Sequence, residues 1–232
     1  MCRLLSVILF LFMHSAFADS ATQVIFVGGQ GSSEQNMQTW AALVGHDSKY
    51  KDHFSFRSLS LPSTQSKQTR VIIDGQKTIE VLVSEIDHSP KDSQFILVGH
   101  SSGSAISNEV ARRVKSKLKI KLIVLDGFVP HRVVKEIPTY CWSAVDASSG
   151  KPALNTNRMK KCSQYQEMKI FGCKTSHCLH FSLVNSSAQK ANLGSKNYKT
   201  LGYSDLVPNL NWLDSLASTK IDSRTRSSDS NR

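Results

Sequence analysis

The chain has 232 residues, 40% of them hydrophobic and 20% charged, which bounds one domain with short tails and excludes a disordered chain. Five cysteines are too few for a disulfide mini-scaffold, and a mean hydropathy of −0.25 with one long apolar run excludes a multi-pass membrane protein. The net charge of +11 is spread along the chain, and the basic clusters Arg112-Arg113 and Lys115–Lys121 interleave with an apolar helix and strand, so they read as solvated faces and no nucleic-acid partner is expected.

The first 18 residues hold Arg3, an apolar run from Leu4 to Met13, and the small-x-small triplet Ala16-Phe17-Ala18. That layout predicts a secretory signal peptide over 1–18. The run is short for a bilayer span of roughly 20 residues and no basic stop-transfer cluster follows, so no stable membrane insertion is expected. The chain is then exported, to a periplasm or to the outside of a cell. It keeps Cys141, Cys162, Cys173 and Cys178, an even number in an oxidising compartment, which reads as two disulfides. Three pairings are open; Cys173–Cys178 with Cys141–Cys162 closes the shortest loops. A metal cluster of these cysteines with His177 and His180 matches no zinc spacing, and none is expected.

Gln23–Val27 predicts a buried strand running into a glycine-rich turn, Gly28–Gly31. Ser32-Ser33 offers an N-cap for a helix over Glu34–Val44, with Trp40, Leu43 and Val44 facing inward. His53–Leu61 predicts a strand stopped by Pro62. Ser63–Ile86 predicts a helix with Ile72, Ile79, Val83 and Ile86 on one face and Gly75 in its middle. Phe95–Val98 is a fully apolar strand, Ser102–Lys117 a helix, and Leu118–Leu125 another apolar strand. Thr139–Val145 and Met168–Phe171 predict two more strands and Leu179–Asn192 a helix. Ala147–Lys161 reads as a loop insertion, and 219–232 as a disordered polar tail after a single domain over 19–218. Alternating strands and helices with continuously apolar strands predict a mostly parallel sheet covered on both faces.

The turn after Val98 carries the chemistry. Gly99-His100-Ser101-Ser102-Gly103 matches Gly-x-Ser-x-Gly between an apolar strand and an amphipathic helix, the setting that motif requires. The serine sits on a sharp turn, and the flanking glycines let neighbouring backbone pass close by. Ser101 is the expected nucleophile, with the N–H of Ser102 as one oxyanion donor. The second donor is expected in the Gly28–Gly31 turn, from Gly29 or Gln30. A dinucleotide-binding turn there is discounted, because Glu34 holds the place of the third glycine.

A serine nucleophile needs a base and an orienting acid, in the chain order Ser, Asp or Glu, His. His131 comes too early. His180, at the start of an apolar run, is the preferred base, with His177 the alternative. Asp126, at the end of Leu122–Leu125 and before Gly127, is the preferred acid; Asp146, at the end of the next strand, is the alternative.

These segments, Val24–Gly31, Phe95–Gly103, Leu122–Pro130 and His180–Leu183, resemble the α/β-hydrolase superfamily, and within it the serine thioesterase and lipase-like branch. The resemblance implies an α/β-hydrolase fold with no large lid domain. It implies a secreted hydrolase that cleaves a small acyl ester or thioester through a Ser-His-Asp triad, with neither metal nor organic cofactor. In thioesterase domains the acid follows the strand next after the nucleophile strand, which is the place of Asp126. A non-catalytic binding scaffold and an acyltransferase using the same triad are the alternative readings.

Overall fold

The computed structural model describes residues 22–46, 50–62, 67–128, 136–154, 157, 159–173, 175–184 and 213. The expected signal peptide and polar tail, and His131, lie outside them. Six strands form one sheet: β1 (Thr22–Val27), β2 (Phe54–Leu59), β3 (Phe95–His100), β4 (Ile120–Leu125), β5 (Thr139–Asp146) and β6 (Gln164–Ile170). Their order is β2-β1-β3-β4-β5-β6 and every neighbouring pair is parallel, as the apolar runs predict. The register sets Val27 beside Gly99 and His100 beside Leu125, so the turns after β1, β3 and β4 share one edge of the sheet.

Side chains alternate between the two faces. Val24, Phe26, Ile96, Val98, Ile123 and Leu125 pack into a core cluster with helix α1 (Glu34–Gly45) and helix α5 (Ser176–Ser182). Ile25, Val27, Phe95, Leu97, Leu122 and Val124 face the opposite cluster, with helices α2 (Gln68–Asp74), α3 (Gln76–His88) and α4 (Ser104–Arg113). Helices therefore cover both faces. The α/β-hydrolase architecture expected from the sequence is present.

The structure corrects several boundaries. Helix α1 turns Met37, Trp40 and Val44 inward, with Trp40 stacked on Phe26 at 4.4 Å, while Leu43 is 44% exposed. The helix expected over Ser63–Ile86 is two helices joined at Gly75 (63–66 lie outside the described residues). A β-carbon at 75 would strike the Ile106 side chain, so the glycine lets the joint press against α4. Helix α4 stops at Arg113, not Lys117, because Val114 turns extended (ψ 137°) and the next two N–H groups, of Lys115 and Ser116, donate to Asp87 Oδ1 at 2.8 and 3.2 Å. The ammonium of Lys117 takes the last carbonyls, of Ala111 and Arg112. Strand β6 is longer than expected, its first residues being polar and exposed at the sheet edge. Helix α5 begins three residues before Leu179; 185–192 lie outside the described residues.

The start of α4 crosses the end of β1 backbone to backbone. A β-carbon on Gly103 would run into the carbonyl oxygens of Val27 and Gly28. Those are backbone atoms and cannot rotate away. Gly103→Ala should therefore lower the unfolding free energy by about 1–3 kcal/mol despite alanine's better helix propensity, read as a fall in the urea midpoint at unchanged slope.

Candidate active site

The strand β3 is buried at every residue and ends at His100. Ser101 then takes φ +54°, the left-handed region that costs a non-glycine residue about 1–2 kcal/mol. A 3-10 turn over Ser101–Gly103 leads into α4. Gly99 and Gly103 make the turn possible: a β-carbon on Gly99 would hit the Ser104 backbone, and one on Gly103 the end of β1. On the far side Gly29 presses against the serine, its missing β-carbon position lying 2.6 Å from Ser101 Cβ and 3.3 Å from Oγ. The Gln30 N–H donates to Ser102 Oγ at 3.0 Å. The Gly28–Gly31 turn and the serine turn are thus in direct contact.

Asp126 follows β4, is fully buried and has φ +40°. Its N–H donates to the Trp142 carbonyl at 2.9 Å. One carboxylate oxygen, Oδ1, accepts from the Ser143 hydroxyl at 2.9 Å and the Ala144 N–H at 3.3 Å. The other, Oδ2, faces His180 Nδ1 at 3.4 Å. The carboxylate turn is bolted to the serine turn by α4. Ser104 Oγ donates to the Ser101 carbonyl (2.5 Å) and accepts from the Phe128 N–H (2.6 Å), and Asn108 donates its amide to the Phe128 carbonyl. A side chain at Gly127 would displace both Ser104 Oγ and the Ser101 carbonyl.

His180 is 8% exposed on α5. That helix has only seven residues and is held by its surroundings. Thr175 caps it through the Cys178 N–H at 3.1 Å, the Cys173–Cys178 disulfide ties its first turn to the loop after β6, and Trp40 Nε1 donates to the Val184 carbonyl beyond its end at 3.4 Å. The second disulfide, Cys141–Cys162, joins β5 to the start of the β6 region.

The alternative residues lie differently. Asp146 is half-buried and accepts from the N–H and hydroxyl of Ser148 and the hydroxyl of Ser149, donors that hold its carboxyl below the usual carboxylate range, the Ser149 hydroxyl most. His177 is half-buried with its ring 4.7 Å from Phe181; burial, and next the charge of His180, push its pKa down. The sequence reading missed His100, the x before the serine. It is fully buried, its Nε2 lies 3.1 Å from the His180 carbonyl, and its ring stacks on that of His180 at 4.4 Å. The signal was present as a polar residue closing an otherwise apolar strand. Among the described residues no group of three or more His, Cys, Asp or Glu is placed to hold a metal ion, and no helix is long and apolar enough to cross a membrane.

Burial, and secondarily the charge of His180, hold the His100 pKa well below 6.5. The unfolded chain binds a proton near that pH that the folded chain refuses. The stabilisation is complete above pH 6.5 and declines as the pH falls below it, by about 1.4 kcal/mol per pH unit for one fully linked proton. The depressed His177 pKa acts in the same direction. Urea midpoints of the wild type should drop between pH 7.5 and 5, and should drop less in His100→Gln.

The sequence matches no protein-family model and no curated protein. Solved structures with a similar course of chain include the catalytic core of an acetyl xylan esterase from Trichoderma reesei, 13% identical over 78% of this chain and 97% of that one (TM-score 0.41). They include a member of the α/β superfamily from Xanthomonas campestris pv. campestris, 15% identical over 78% and 97% (TM-score 0.43). A third is a type II thioesterase of the yersiniabactin pathway, YbtT, 12% identical over 76% and 91% (TM-score 0.44). At these identities and TM-scores no residue role passes from them to this chain. Its own atoms give the parallel sheet, the serine on a left-handed elbow between β3 and α4, and the buried acid after β4: the chain has the α/β-hydrolase fold.

Proposed function

We propose that this chain is an exported serine hydrolase that cleaves a small acyl ester or thioester through an acyl-enzyme. The observation that carries the reading is the contact of a buried aspartate with His180, whose ring stacks on His100, the residue before a serine held in a left-handed elbow. Ser101 is the nucleophile, His180 the base and Asp126 the acid. Asp126 Oδ2 faces Nδ1, so the Nδ1–H tautomer is favoured and Nε2 is left to take the serine proton. Ser101 Oγ attacks the acyl carbon as His180 accepts its proton. The developing oxyanion is held by the N–H groups of Ser102 and of Gln30 or Gly29, each donor worth about 3 kcal/mol in such sites. His180 then returns the proton to the departing alcohol or thiol. Water, deprotonated by the same imidazole, attacks the acyl-serine, and the acid product leaves with Ser101 restored. The cycle draws on no cofactor.

Gly29 and Gln30 both stand as the second donor: the Gln30 N–H is donated to the hydroxyl of the residue after Ser101 and would have to exchange that partner for the oxyanion, while Gly29 lies against the Ser101 side chain itself. Export is supported by the character of 1–18 and by two disulfides, since such bonds persist in oxidising compartments.

A fluorophosphonate probe tests the reading on the oxidised, folded chain. Wild type should label, Ser101→Ala should not, and His180→Ala and Asp126→Asn should slow labelling on the order of 10³–10⁴-fold, while His177→Ala stays near wild type. A folded wild type that takes no label would sink the hydrolase reading and favour a binding scaffold. Loss in His177→Ala but not His180→Ala would move the base. Once a substrate is in hand, product analysis with added alcohol separates hydrolysis from acyl transfer. Gly29→Ala should also slow labelling, on the order of 10²-fold, because its methyl group occupies the space of the Ser101 side chain.

A further inference from the structure

We propose that His100 is a positioning residue: its ring and its Nε2–H fix the place and plane of the His180 imidazole, coupling the base to the serine turn. The inference rests on the reading of His180 as the base.

The carbonyl of His180 falls in the last turn of α5, where a helix leaves its carbonyl groups without partners of its own. A carbonyl can only accept, so the nitrogen facing it at 3.1 Å, His100 Nε2, carries the hydrogen. That bond spans 80 positions of sequence and ends on the backbone of the proposed base itself. The other tethers of α5 fall on other residues: Thr175 and Cys173 on its first turn, the Cys173 sulfur also on the Ser182 hydroxyl at 3.4 Å, and Trp40 on Val184 beyond its end. The two imidazoles also stack, 28° from parallel, and Phe181 stands edge-on to both at 5.3 Å. His180 is thereby held on its backbone and on one ring face by His100, and at Nδ1 by Asp126. His100 is the last residue of β3 and the immediate neighbour of Ser101, so whatever fixes the serine fixes the base through it.

The chemistry of the bond makes the role separable from packing. Glutamine carries an amide N–H near the place of His Nε2, whereas methionine has similar length and bulk and no donor. The experiment compares His100→Gln with His100→Met, and uses His100→Leu if the methionine variant does not fold. Two readouts are taken on the oxidised full chain: the downfield Nδ1–H proton of His180 in ¹⁵N-histidine NMR, and the saturating rate and half-saturating concentration of fluorophosphonate labelling. In His100→Met the His180 proton should shift or vanish, and the saturating rate should fall on the order of 10²-fold with the half-saturating concentration little changed. His100→Gln should keep the proton and recover most of the rate. A methionine variant with the His180 proton and the labelling rate of wild type would overturn the proposal, and so would a glutamine variant that falls as far as methionine. If wild type takes no label but the His180 proton follows the same pattern, positioning stands and the hydrolase reading fails. If wild type labels through Ser101 and His180 while the His100 variants leave both readouts unmoved, the reverse holds.

Discussion

The close crossing of α4 over the end of β1 sets the geometry of everything at the sheet edge. At Gly103 the helix backbone lies against the carbonyls of Val27 and Gly28, with no room for a methyl group. That approach brings the Gly28–Gly31 turn against the serine turn, with Gly29 on the Ser101 side chain and the Gln30 N–H on Ser102. It also leaves the chain between β3 and α4 so little length that Ser101 takes a left-handed conformation. The cost, about 1–2 kcal/mol, is offset by pairing of β3 with β1 on one side and β4 on the other. The strained residue cannot relax without parting strands that are buried on both faces.

The acid is held by a different logic. A fully buried carboxylate is tolerable only when its oxygens are satisfied, and Asp126 meets that through donors from the neighbouring strand β5. Because Ser143 and Ala144 both address Oδ1, Oδ2 is turned toward His180. Ser104 then joins the carboxylate turn to the serine turn by one hydroxyl that donates to the Ser101 carbonyl of the serine turn and accepts from the Phe128 N–H of the carboxylate turn. The serine turn, the acid turn and the glycine turn are one hydrogen-bonded and packed assembly, to which α5 is added from outside.

The fold was legible where burial shapes composition. Strands β1, β3 and β4 are covered on both faces, so they read as continuous apolar runs, and the elbow declared itself by small residues at fixed offsets. Strand β6 was half-read because an edge strand need not be apolar: Gln164, Gln166 and Glu167 are exposed. The break at Gly75 was invisible as a break because its reason is a side chain of α4, Ile106. Asp126 and Asp146 looked alike as strand-terminal carboxylates. What distinguishes them is the chain that follows: Ala-Ser-Ser-Gly folds back so that Ser148 and Ser149 donate to Asp146, an Asx-type turn, while Gly127-Phe128 is pinned to α4. His100 escaped because periodicity registers apolar residues, and a polar residue buried for a tertiary bond 80 positions away leaves no periodic trace.

The place of the site follows from the strand order. From β1 the chain moves outward to β2 through α1 on one face; from β3 it moves the opposite way to β4 through α4 on the other. Parallel crossovers keep one hand, so reversing direction sends the two helices to opposite faces and opens a crevice between β1 and β3 at their carboxyl ends. Gly28–Gly31 and Ser101 lie at that crevice. Helix α5 returns on the face of α1, with Leu179, Phe181 and Leu183 in the cluster that holds Trp40. The proposed base therefore arrives from one layer, while the helix that fixes the serine belongs to the other. Sheet packing cannot align two such groups, because the sheet lies between their helices. Alignment has to be made across the sheet edge, and the described contacts that reach His180 there are the Asp126 carboxylate after β4 and the His100 imidazole at the end of β3.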